Sequence, residues 1–312
     1  MNDRPTGRGS GPGSGPGSGA GPGRPTRRDV AVGVAAGAAA LSLKGADDER
    51  PAGRRPLPRA GFVSHGAPNL ALDRERGADL ARWGTEIERP DAIVVVSAHW
   101  ERTPLSIGTA TERPLLHDYG GFAPELRDVT YDAPVAADVA DRIERGLAGR
   151  LGHGAIERVH ERPWDHGVWV PLVHLAPDRD VPVVQVSLAS GTSPDELLLL
   201  GRRLREILGE RVLLLGSGGI VHNLGALDWS DSGEPAAWAV DFESWARDAL
   251  DRGDHDALVD FRRKAPALER AHPTLEHWLP LLVAAGAGER ATRYPVEGFE
   301  YGSLGRLSVE FA

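Results

Sequence analysis

The chain is 312 residues long, carries a formal net charge of −9 and contains no cysteine. Without thiols there is no disulfide, iron–sulfur cluster or thiolate zinc site, so a metal would have to be held by histidine, carboxylate or water. The acidic balance argues against a nucleic-acid partner, whose binding rests on Lys and Arg neutralising phosphates, and leaves a small molecule as the expected ligand.

Residues 1–57 differ in composition from the rest of the chain. The stretch "TGRGSGPGSGPGSGAGPGRPTRR" is Gly/Pro/Ser-rich and too poor in apolar surface to offset the entropy of ordering, so a disordered tail is expected there. Arg27 and Arg28, followed by a weakly apolar run from Val30 to Leu43, resemble a twin-arginine export signal, although no A-x-A cleavage site follows. The run is short for a membrane span. The expectation is a cytoplasmic protein without membrane association, with export through the Arg27-Arg28 signal as the alternative.

From residue 58 to 312 the pattern is that of one domain, and a hydrophobic content of 41% is enough to fill its core. A short apolar run, "GFVS", ends at His65; "AIVVVSAHW" (92–100), "VPVVQVSL" (181–188) and "RVLLLGSGG" (211–219) read as buried strands. Helical periodicity with polar starts and glycine stops marks 133–149, 193–208 and 236–253. Strands alternating with helices predict an α/β domain: a central mixed sheet flanked by helices, with a ligand site at the strand ends.

The histidines cluster at those ends. His65, His99 and His222 each follow an apolar run, where a buried strand is expected to give way to a loop. His166 sits behind Asp165 in "ERPWDHGVWVPLVHL", ahead of an apolar helix-like segment. His272, Glu276 and His277 lie in "AHPTLEHWLPLLVAAGA", where Pro273 suits a first helical turn, placing His272 near the N-cap and His277 one turn inside. Their spacing of five is not the i,i+4 pair that lets two helical histidines grip one metal, so one of the two is expected to reach it. His117, before the Gly-Gly-Phe of "PLLHDYGGF", is a candidate substrate contact. His153, His160 and His255 read as solvated and His174 as packing. Trp278 reads as core, and Trp100 is consistent with either core or a pocket wall.

In order, "SHGAP", "SAHWE", "HDYGGF", "DHGVWVPL", "GSGGIVHNL" and "HPTLEHWLPLLVAAGA" resemble the class III extradiol ring-cleavage dioxygenases, in the branch that includes 4,5-DOPA dioxygenase. The resemblance runs from about residue 60 to the C-terminus and includes "EGFEYGSLGRLSVEF". It implies a mononuclear non-haem metal held by His65, His99 and His277, with Glu276 as the substitute should His277 not bind. It also implies an acid/base pair, His222 and His166, the latter oriented by Asp165. Leu275 stands where relatives commonly carry proline, which affects the helix start more than the ligands.

The implied activity is insertion of O2 into a catechol of DOPA type, giving a ring-opened semialdehyde acid. Imidazoles on one face of Fe(II) leave positions open for substrate and O2. Fe(II) is the metal expected for activity, and Zn(II) fits the same ligands. Two other readings remain open at this point: a zinc-dependent hydrolase, and a non-catalytic Memo-like binding protein on the same scaffold. Retention of two proton-transfer histidines speaks against the binder.

Overall fold

The computed structural model describes residues 53–110, 115–151, 156–230 and 234–312. Arg27, Arg28 and His153 lie outside the described residues, as does most of the expected tail. The fold begins slightly earlier than residue 58: Arg55 bridges Ile87 in parallel fashion and its guanidinium reaches Glu310 at 2.7 Å, because an apolar neighbour, Leu57, packs onto the core. Among the described residues no helix is long and apolar enough to cross a membrane.

The centre is an eight-stranded mixed sheet built from β1 (Ala60–Ser64), β2 (Ala92–Arg102), β3 (Leu105–Gly108), β4 (Ile156–Val159), β5 (Val183–Ala189), β6 (Val212–Gly218), β7 (Ala291–Val296) and β10 (Ser308–Phe311). A separate hairpin pairs β8 (Phe299–Glu300) with β9 (Leu304–Gly305). The order across the sheet is β4-β3-β5-β2-β6-β1-β10-β7. β5, β2, β6 and β1 run parallel to one another, while β10 and β7 add an antiparallel edge and β3 pairs antiparallel with β5.

Alternation along β2 shows why its sequence is apolar without a break. Ile93 and Val95 point into one core with Leu80 and Trp83 of α1 (Ala78–Glu86) and Val168, Trp169 and Leu172 of α3 (His166–Leu175). Val94 and Val96 point into the other. That second core is closed by α2 (Ala137–Leu151), α4 (Pro194–Leu208), α5 (Ala237–Arg252) and α9 (Leu279–Ala287). A parallel strand buried on both faces has no polar side to present, so the expected period of two disappears into a run of Val and Ile.

Helix boundaries follow their capping residues. Ser193 caps α4 through a complete capping box with Glu196, and Gly253 ends α5 in the left-handed region at φ 62°. Two expectations are corrected. β2 continues past His99 to Arg102, with a register shift between Val96 and Glu101, so His99 projects from an irregular stretch of strand and not from a loop.

The stretch from His272 to Trp278 is not the start of a helix. After three short helices, α6 (His255–Val259), α7 (Phe261–Lys264) and α8 (Leu268–Ala271), His272 caps the last, and α9 begins only at Leu279, with Pro280 in its first turn. The physical reason is competition for backbone partners. Gly219 N–H donates to the His277 carbonyl at 3.0 Å, His222 N–H to that of Ala271 at 3.0 Å, and the His272 ring bonds the Ile220 carbonyl at 2.7 Å. The exit of β6 thus holds residues 271–277 in an open conformation.

Candidate metal centre

Three imidazoles meet where β1, β2 and β6 end. His65 follows β1, with its backbone N–H held by the Gly218 carbonyl at 3.0 Å; His99 comes from the irregular end of β2; His277 is carried in by the bonded segment before α9. One ligand nitrogen from each lies within 4.8 Å of the others, and His65 Nε2 and His99 Nε2 are 3.2 Å apart. His65 is 1% exposed and His277 3% exposed.

The outer nitrogens set the tautomers. Ser217 Oγ donates its only proton to the Gly167 carbonyl, so it accepts from His65 Nδ1–H at 3.0 Å and leaves His65 Nε2 a bare lone pair. His277 Nδ1 faces Glu276 Oε1 at 2.9 Å, which must accept, so His277 Nε2 is also a lone pair; it is buried with no hydrogen-bond partner among the described residues. His99 Nδ1 stands 3.5 Å from Asp118 Oδ2, in the same sense. Converging lone pairs on buried nitrogens repel one another unless a cation lies between them. The donor set therefore fits a divalent metal, with the outer carboxylate and hydroxyl partners such ligands require.

Electrostatics agree. Burial, reinforced by the neighbouring rings, holds His65 and His277 well below the usual histidine range. Burial and then His166 lower His99 to about 4 against the pull of Asp165 and Asp118. Neutral imidazoles are the form that binds metal.

Two further histidines line the same space. His166 opens α3, with Nδ1 on Asp118 Oδ1 at 2.7 Å, and its ring centroid is 4.0 Å from that of His99. His222 stacks on His277, with centroids 3.4 Å apart and planes within 7°, and burial lowers it to about 4. His272, by contrast, is turned away to Ile220 and packs beside Phe242, so of the two histidines in its motif only His277 joins the cluster.

The expected role of Asp165 is corrected. Its carboxylate is fully buried and accepts from Ser97 Oγ at 2.7 Å, from Arg162 at 3.1 Å and from the Gln185 amide, while His166 turns to Asp118. As N-cap of α3, Asp165 points back under the sheet, whereas the ring one residue on points out of it. Arg162 also bonds the His99 carbonyl at 3.0 Å, so this network braces the irregular end of β2. Gly167 has to be glycine for the same reason: a Cβ there would stand 2.5 Å from Ser97 Oγ and 3.1 Å from the His99 ring.

A cavity of about 610 Å³ opens over the histidines, lined near them by His99, Asp118, His166, His222, Glu276 and His277. His117 is not on this wall. Its Nε2 lies 3.2 Å from the Leu126 carbonyl, and its neighbours Asp118 and Tyr119 take the position expected of it. Trp100, Trp169 and Trp278 are buried and do not line the cavity. Asp118 is the residue that sequence reasoning missed; the available signal was that a metal-bound or acid/base histidine needs a carboxylate partner, and "HDYGGF" offers one.

Comparison with known proteins agrees with this geometry. A family profile described as the catalytic LigB subunit of aromatic ring-opening dioxygenase matches residues 75–312. The chain is 37% identical over 231 residues to a protein of Beta vulgaris named 4,5-DOPA dioxygenase extradiol, covering 72% of this chain and 85% of that one. It is 35% identical over 257 residues to a protein of the same name from Escherichia coli, covering 80% and 93%. A crystal structure of an uncharacterized protein from Escherichia coli superposes with a TM-score of 0.69 at 32% identity, covering 82% of this chain and 100% of that one.

Proposed function

This chain belongs to the family of catalytic LigB subunits of aromatic ring-opening dioxygenases, and from that premise we propose that it opens a catechol ring beside the diol by inserting both atoms of O2. DOPA, named in the relatives, is the reference substrate. The ring itself is oxidised and O2 reduced, so no external reductant is consumed and all four oxygens end in a ring-opened hydroxy-semialdehyde.

His65, His99 and His277 would hold a mononuclear non-haem Fe(II), the metal the family uses. When bound, it supplies Lewis acidity that acidifies the diol and a route for electrons between the ring and O2. The same imidazoles accept Zn(II), so purified protein needs reloading before assay. His222, neutral near pH 7, takes a hydroxyl proton at its free ring nitrogen. His166, with Nδ1–H held by Asp118, takes up the second diol proton at its other nitrogen and returns it as the ring opens. Asp165 acts indirectly, by bracing Ser97 and Arg162 behind His99.

The observation that carries this reading is the convergence of one ring nitrogen each from His65, His99 and His277 beneath a cavity that also presents two further histidines. The test is anaerobic reconstitution with Fe(II), followed by oxygen-electrode and visible-absorbance assays on a catechol panel. Stoichiometric O2 uptake with a coloured semialdehyde is expected. Product that still forms without O2 would sink the oxygenase and favour the zinc hydrolase. His99→Ala should lose the metal, while His222→Ala should keep it and lose most turnover.

A further inference from the structure

The cavity is far larger than a catechol ring, and its outer half is built from rings. Tyr119 lies edge-on to His166 at 5.5 Å, Phe122 edge-on to Tyr119 at 5.6 Å and Trp229 beside Phe122 at 6.0 Å, with the buried Tyr301 backing Trp229 at 4.9 Å. The series leads from the acid/base histidine to the rim. Among the described residues the two most exposed large apolar side chains, Leu224 at 59% and Trp229 at 57%, both line this one cavity. Aromatic and aliphatic groups left wet at a cavity mouth mark a ligand contact more often than chance exposure does.

The charges are equally one-sided. Among the described lining residues the charged side chains are Asp118 and Glu276, both carboxylates already bonded to histidines. Outside the lining, Arg76 lies over the Tyr301 ring at 5.0 Å and pairs with Asp73 and Glu300. Among the described lining residues a substrate carboxylate would therefore meet like charge and no cation, whereas an apolar group would cover Phe122, Leu224 and Trp229.

We propose that the outer half of this cavity binds an uncharged aryl or bulky apolar substituent, so that the preferred diol carries a second hydrophobic group and not a carboxylate or amino-acid side chain. This rests on the ring-opening reading above and narrows its substrate class. The diol end is held over the histidines and the second group lies against the joined surface of Phe122, Leu224 and Trp229.

The test compares 4-benzylcatechol with DOPA and with 3-(3,4-dihydroxyphenyl)propionate on the Fe(II)-loaded full chain. In parallel, binding of the same diols to Zn(II)-loaded protein is read as the Trp229 fluorescence component, isolated by difference against Trp229→Phe. We expect kcat/KM for the benzyl diol to exceed the carboxylate diols by about tenfold or more, the scale of one good apolar pocket. That ratio should fall by about tenfold in Trp229→Ala and in Phe122→Ala, with the loss in KM more than in kcat. Preference for the carboxylates, or a ratio unmoved in both variants, would overturn the proposal while leaving ring opening intact. Tight, Trp229-reported binding of the benzyl diol with no O2 uptake from any diol would overturn the ring-opening reading and support the pocket.

Discussion

Asp118 Oδ1 lies 2.7 Å from His166 Nδ1, and its other oxygen stands 3.5 Å from His99 Nδ1, so one carboxylate ties the ring of His99 to that of His166. Asp118→Asn keeps the shape and removes the charge. Turnover should drop on the order of 10–100-fold, the usual cost of losing such an outer partner. Metal content measured by plasma emission should fall less than in His99→Ala. If turnover instead stays at the level of the unaltered protein, the coupling of the two rings through Asp118 has no functional weight.

Gly218 passes directly beneath the His277 carbonyl, and a Cβ on it would stand 2.1 Å from that oxygen. Gly218→Ala must push the His277 segment off the end of β6. The expected cost is about 3 kcal/mol, at the upper end of overpacking, together with a weaker hold on metal. Urea unfolding and metal titration check both; a variant with unchanged metal affinity would mean that the segment has room to move.

The Glu243 carboxyl on α5 is largely buried, with Oε2 lacking a hydrogen-bond partner among the described residues, and desolvation pushes it up to about 7. A raised carboxyl binds its proton more tightly when folded. Its contribution is therefore fully present below the ordinary value near 4.5 and is lost as pH rises through about 7. Within that window the slope is at most about 1.4 kcal/mol per pH unit. Comparing Glu243→Gln with the unaltered protein by denaturant titration at several pH values should show that the variant lacks this loss.

The histidines have the opposite sign. His272 is buried, bonded to the Ile220 carbonyl, and lowered to about 4 by desolvation; His99 and His222 are lowered to about 4 as well. Neutral rings are favoured by the fold, so this stability is complete above about 6.5 and is lost as pH falls toward 4. Metal-free protein should unfold more readily across that interval. Bound metal opposes the loss, adding about 2.7 kcal/mol at a hundredfold excess over Kd. Thermal melts with and without chelator at pH 7.5 and 5 test this: chelation should lower Tm, and acid should lower it further in the chelated sample. A Tm independent of chelator would contradict a metal held at His65, His99 and His277.

Much of the centre is legible in sequence because strands announce their own ends. The apolar runs before His65 and His222 locate both residues, and the run before His99 locates it to within the irregular end of β2. The "DHG" motif places His166 just ahead of a helix-like run, and in the structure it is the first residue of that helix. What failed was direction. Asp165 and His166 are adjacent in the chain, yet one points under the sheet and the other into the cavity. His272 and His277 look like one helix start, yet the exit of β6 captures their backbone.

By itself, then, the sequence determined the α/β class, the metal chemistry open to a chain without thiols, and the histidines that gather at the strand ends. Those follow from composition and from periodicities that neighbouring residues impose on one another. Only the tertiary structure decided which nitrogen of each ring is free, that Asp118 serves His166, and that Phe122 and Trp229 meet edge to face on the cavity wall. Each of those depends on groups far apart in the chain, such as His65 and Ser217 at a separation of 152 residues, whose approach is set by the packing of the sheet and helices and leaves no spacing to read.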